Sequence, residues 1–170
     1  MAVFETAVKR HFLKEKAARQ LLLELSQKFK IDTEQLFGSK PHIELAETEI
    51  AEILLINRKP LFARVDKNIL PTLFSNKVSS LLPKIVVDMG AVPHVCNGAD
   101  LMVPGVVQIS ADFKKNDLIL IVDERHGKPL AIGVALFDSH AMRKMKRGKI
   151  VKNIHYVGDK LWKTLKKLMG

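Results

Sequence analysis

The sequence predicts an α+β chain: a small α/β unit over residues 1–83, followed by a small strand-rich barrel over residues 84–170. Three observations carry this expectation. Apolar residues recur at helical spacing between Lys14 and Phe29, near the start of the chain. The composition shifts after Pro83. Beyond it, short apolar runs lie close together with little helix between them, which is the pattern of a small barrel. A chain of 170 residues, 47% apolar and 27% charged, can build such cores. That balance excludes disordered, collagen-like and disulfide-scaffold classes.

The elements follow in order. Ala18, Leu21, Leu22, Leu25 and Phe29 share one face of a first helix, with charges opposite. Gly38, Ser39 and Pro41 end that pattern. IELAET and IAEILLIN are rich in Ile and Leu and short enough for strands. Asn57-Arg58-Lys59-Pro60 then turns the chain, and LFARV returns as a hairpin partner. NILPTLFSNKVSSLLPK, with Pro71 and Pro83, reads as one or two short helices and a connection.

In the second half, Ile85–Val87, Val106–Ile109, Leu118–Val122, Leu130–Phe137 and NIHYV read as strands. The connection Asp123-Glu124-Arg125-His126-Gly127-Lys128 has hairpin chemistry, because Gly127 can take a positive φ. Asp159 is placed to cap a closing helix. Leu161, Trp162, Leu165, Leu168 and Met169 would face inward and Lys160, Lys163, Lys166 and Lys167 outward.

Charge is the first functional clue. Lys and Arg number 28 against 18 Asp and Glu, a net of +10, with a pI near 9.8. From Arg143 to the end, ten basic side chains face Asp159 alone. Like charges packed together repel unless a counter-charge arrives, so a polyanion is expected, most often nucleic acid. Arg143, Lys144, Lys146, Arg147, Lys149 and Lys152 supply a phosphate-contacting stripe.

Enzyme chemistry finds little support. The six histidines have no metal-ligand spacing with a carboxylate or with Cys96, so neither metal nor cofactor is expected. There is no G-x-x-x-x-G-K-S/T phosphate loop, no dinucleotide fingerprint and no G-x-S-x-G elbow. His94 and Cys96 would share a face of a strand, but nothing nearby activates a thiolate, and a small buried hydrophobe is the simpler role. A single cysteine rules out an internal disulfide and fits a reducing cytoplasm. MAVFETAVKRHFLKEK returns to charge at Lys9 and Arg10, too soon for a signal peptide. No run approaches the roughly 18 apolar residues of a membrane span. The expected setting is cytoplasmic, with no membrane partner.

The informative stretch is VVDMGAVPHVCNGADLMVPGVVQI, Val86 to Ile109. Gly98 lets a backbone approach a ligand, and Asn97-Gly98 and Pro104-Gly105 each turn the chain. Ala99 to Val103 reads as one helical turn presenting Leu101 and Met102. Exposed N–H groups there suit a phosphate, and apolar side chains suit a base or sugar face. Leu and Met equally serve a core. His155 and Tyr156 can stack on an unpaired base or fill the barrel, since strand residues alternate.

Taken in order, NGADLMVPGVV, DLILIVD, GKPLAIGVALF and RKMKRGKIVKNIHYV resemble the PUA domain, named for pseudouridine synthases and archaeosine transglycosylases. With VVDMGA, KNIHYVGDKLW and the preceding α/β half, the chain resembles the malignant-T-cell-amplified-sequence and ligatin family of translation-associated proteins. The resemblance is close over Ile85–Trp162 and covers the first half only in layout. It implies a β pseudo-barrel that binds structured RNA, either transfer RNA at its acceptor end or ribosomal RNA. It further implies a role in translation initiation, recycling or ribosome function. Its RNA surface would be the loop of Gly98, Ala99, Asp100, Leu101, Met102, Val103, Pro104 and Gly105. Implied partners are the small ribosomal subunit and a translation factor. Two alternatives stay open. The chain is an accessory subunit in RNA modification or ribosome biogenesis, or its basic C-terminal helix meets a protein or membrane surface.

Overall fold

The computed structural model describes residues 8–169. The first seven residues, part of the stretch read above against a signal peptide, lie outside it. The chain divides into two compact units, Met1–Thr72 with Leu165–Gly170, and Leu73–Thr164. This division falls ahead of the composition shift at Pro83. Leu73 belongs with the second unit because its N–H is bonded there, to the His155 ring at 3.2 Å.

The first unit is a meander. It comprises β1 (Lys9–Phe12), α1 (Glu15–Phe29), α2 (Thr33–Phe37), β2 (Ile43–Glu47), β3 (Glu52–Ile56), β4 (Lys59–Val65) and β5 (Asn68–Pro71). The strands lie in sequence order in one antiparallel sheet. Asn57 and Arg58 turn β3 into β4 with φ of 52° and 70°. This two-residue turn matches the twist of the flanking strands. Asn57 suits it because its side chain accepts the His42 N–H at 3.1 Å and donates to the Phe37 carbonyl at 2.9 Å. Two strands depart from the sequence expectation. β1 is exposed along its whole length and carries no apolar alternation. NILP, expected to begin a helix, is β5, whose last residue is Pro71; on an edge strand the missing N–H costs nothing.

The second unit contains α3 (Asn76–Ser79), β6 (Lys84–Val87), α4 (Val92–Val95), β7 (Leu101–Met102), β8 (Val106–Ile109), β9 (Leu118–Asp123), β10 (Pro129–Ala135), α5 (Ser139–Lys144) and β11 (Lys149–Tyr156). α6 (Lys160–Leu168) begins in it. Its six strands are ordered β7-β11-β10-β9-β6-β8. β7 and β8 therefore occupy opposite edges, although only Val103–Gly105, one 3-10 turn, separates them in the chain. Three such residues rise about 6 Å, far less than the width of an open six-stranded sheet. The sheet must curl until its edges meet. The result is a nearly closed barrel filled by Ile85, Val87, Leu101, Ile119, Ile121, Ala131 and Val151, among others.

Local chemistry accounts for the β9–β10 hairpin. Gly127 has φ of 62°. The buried Asp123 carboxylate accepts the backbone N–H groups of His126 at 2.6 Å and Lys128 at 3.2 Å. Those bonds, that of His126 foremost, hold its carboxyl below the usual range. Asp159 caps α6 by accepting the Trp162 N–H at 2.7 Å. Leu161 and Leu165 are buried as expected, whereas Met169, also expected inward, is exposed. α5 and the parallel pairing of β6 with β9 were not expected from the sequence.

β10 and β11 approach unusually closely where a bulge follows Ile132. A Cβ on Gly133 would lie 2.3 Å from Val151 Cγ1 and 2.7 Å from the Lys152 carbonyl oxygen. Backbone cannot yield as a flexible side chain can. Gly133→Ala should cost about 2 kcal/mol of stability, read as a lower urea midpoint. An unchanged midpoint would show that the two strands can separate freely at that point.

Candidate functional site

The seam that closes the barrel lies within the stretch singled out from the sequence. Leaving β6, the Asp88 carboxylate accepts the Ala91 N–H at 2.8 Å and starts the turn into α4. After α4 the chain reverses. Asn97 and Ala99 both donate to the His94 carbonyl, at 3.1 and 3.0 Å, and Gly98 donates to that of Val95 at 3.1 Å. Gly98 has φ of 90°, where other residues are strained. A Cβ there would lie 3.0 Å from Cε1 of the Tyr156 ring. The close approach that this glycine permits within the chain is to Tyr156. Tyr156 is half-buried against it.

Past Gly98 the chain enters β7, which pairs with β11 through Leu101 opposite Val151 and Met102 opposite Lys149. The expected helical turn over Ala99–Val103 does not form, because Leu101 and Met102 pair with β11 instead. Leu101 is 2% exposed and belongs to the barrel core, while Met102 is 47% exposed. Val103, Pro104 and Gly105 make the 3-10 turn, which is pinned on both sides. Val103 donates to the Gly148 carbonyl at 2.9 Å, and Asp88 donates to the Gly105 carbonyl at 3.0 Å.

Asp100 is engaged internally. One carboxylate oxygen meets Lys149 Nζ at 2.9 Å, and the other accepts the Asn153 N–H at 2.8 Å. The Lys149 bond, opposed by burial and helped by Asn153, holds the carboxyl below the usual range. Asn153 was not singled out in the sequence. Its Nδ2 donates to the Val95 carbonyl at 3.0 Å and to that of Ala99 at 3.1 Å.

The cationic stripe separates into two groups. Arg143 donates to Asp112 at 2.6 Å and to the carbonyls of Ala111 and Ile109 at 3.1 and 3.4 Å. Its charge is matched, and it ties α5 to the end of β8. Lys149 is held by Asp100. Lys144, Lys146, Arg147 and Lys152 are exposed, with no carboxylate at ion-pair distance among the described residues.

His155 cannot stack on a base, because it is fully buried. Nε2 accepts the Leu73 N–H at 3.2 Å, and Nδ1 lies 2.9 Å from the Asp159 carboxylate. Strand alternation sends it inward. Burial pushes the Asp159 carboxyl up, but bonds from His155, Trp162 and Tyr156 more than reverse this. His94 is exposed on α4, and half-buried Cys96 has its thiol pushed up by burial, the opposite of an activated nucleophile. Among the described residues, no three His, Cys, Asp or Glu side chains are grouped to hold a metal ion, and no helix is long and apolar enough to cross a membrane.

The depressed Asp100 carboxyl carries a pH signature. Its ionised form favours the folded chain fully above about pH 4, and that contribution fades as acid protonates the folded group. Asp100→Asn should therefore lower the urea midpoint at neutral pH, with the gap to wild type closing in the acid range. A gap independent of pH would show that the ion pair contributes nothing.

Known proteins place this architecture. Residues 83–157 match the PUA domain, and residues 9–75 match a domain of unknown function (DUF1947). An uncharacterised protein of Methanocaldococcus jannaschii is 38% identical over 156 residues, covering 91% of this chain and 95% of its own length. Translation machinery-associated protein 20 of Schizosaccharomyces pombe is 32% identical over 110 residues, 62% of this chain and 61% of that one. Malignant T-cell-amplified sequence 1-A of Xenopus laevis is 34% identical over 134 residues, 75% of this chain and 74% of that one. The crystal structure of a PUA domain from Aeropyrum pernix K1, a tartrate complex, matches with a TM-score of 0.83 at 29% identity, covering 96% of this chain and 94% of that one. With this pairing of domains and relatives matched across most of their length, the chain belongs to the PUA-domain family of the malignant-T-cell-amplified-sequence and translation-machinery-associated 20 proteins.

Proposed function

We propose that this protein is a non-catalytic RNA-binding protein of translation, using the barrel seam and the cations beside it. One observation carries the reading. Exposed Met102 pairs with Lys149 at the start of β11, in a segment where Lys144, Lys146, Arg147 and Lys152 are solvent-facing, with no carboxylate at ion-pair distance among the described residues. Unmatched cations attract phosphates, and an apolar side chain beside them suits a ribose or unpaired base. The translation-machinery name of a relative sharing the PUA domain supports the same setting. The RNA is transfer RNA at its acceptor end or ribosomal RNA, met in the cytoplasm on the small ribosomal subunit alongside a translation factor. This work falls to the second half of the chain, where residues 83–157 match the PUA domain.

Binding to transfer RNA with intact and trimmed 3′ ends, measured by fluorescence anisotropy across a salt series, tests this. Affinity should fall with a log–log slope of roughly −0.7 per phosphate contact for a single strand. Arg147→Ala and Lys152→Ala should each flatten the slope by about one contact. Arg143→Ala should lower stability and leave the slope alone, since its guanidinium is already committed. Met102→Glu should weaken binding with an unchanged circular dichroism spectrum. Absence of binding at low salt would overturn the reading, and equal binding to any polyanion would reduce it to charge alone.

A further inference from the structure

Resting on that reading, we infer that Asn153 is a positioning residue, which sets the glycine loop against the cationic strand. Four hydrogen bonds converge around it. Its Nδ2 holds the carbonyls of Val95, at the end of α4, and Ala99, just past Gly98. Its backbone N–H holds Asp100, whose other oxygen holds Lys149 four residues earlier on β11. One strand thus carries the cations Lys149 and Lys152 and also the side chain that fixes the loop beside them.

Asn153 Oδ1 is buried with no hydrogen-bond partner among the described residues, so the amide's contribution lies in its N–H groups. What the amide adds is a donor shared by two carbonyls on either side of the Gly98 reversal. Without it, the loop would have to be ordered when RNA arrives, and binding would weaken by the lost pre-organisation.

Asn153→Ala and Asn153→Leu provide the test, Leu filling the volume should Ala unfold the barrel. Both should melt cooperatively and bind transfer RNA about tenfold more weakly. Any preference for the intact 3′ end should shrink, and the salt slope should stay at the wild-type value, unlike that of the Lys152→Ala variant. Hydrogen exchange at Ala99–Leu101 should quicken while that of β9 and β10 is unchanged. A lower melting temperature with wild-type affinity and wild-type loop exchange would overturn the inference and leave Asn153 a packing residue. If the wild-type protein binds no transfer RNA, the function reading fails on its own, and loop exchange alone decides whether Asn153 is the clamp.

Discussion

The barrel depends on one geometric constraint: its first and last edge strands are joined by a single 3-10 turn. A six-stranded sheet can satisfy so short a link only by curling on itself. Closure then decides where everything at the seam goes. Leu101 is drawn into the core, Met102 is turned out, and the Val103–Gly105 turn is pinned to Gly148 on one side and Asp88 on the other. The turn between the edge strands is thereby fixed by backbone hydrogen bonds on both sides.

Electrostatics refines that surface. A net charge of +10 suggests an undifferentiated basic protein, yet the structure sorts its cations by task. Arg143 spans α5 and β8 with its planar donors, and Lys149 steadies the loop through Asp100. Lys144, Lys146, Arg147 and Lys152 face solvent. Arginine suits the first role because its fork can satisfy a carboxylate and two carbonyls together.

Much of this was legible in the sequence wherever a local signal existed. Asn57-Arg58, Gly127 and Asp159 announced a turn, a hairpin and a helix cap, and each acts as its chemistry suggests. The segment order around GADLMVPG indicated the PUA barrel. Local signals failed where partners distant in sequence decide. β1 is polar and β5 carries a proline, so neither looks like a strand until β2 and β4 lie beside it. Leu101 and His155 looked available to a ligand because alternation does not say which face is inside. Asn153 escaped notice because its partners, Val95 and Ala99, lie more than fifty residues upstream.

The parallel contact between β6 and β9 has a consequence for how the chain is made. In the first unit, β2 to β5 are joined by short hairpins whose partners are neighbours in the chain. The second must join Lys84 to Leu120 and Met102 to Lys149, separations that raise contact order and slow folding. β11 is the last barrel strand to leave the ribosome, and it supplies the partner of β7, the Asn153 bonds to the loop, and Lys149 and Lys152. A nascent chain halted before it carries every residue of the glycine bend but lacks both the strand that pairs with β7 and the Asn153 amide.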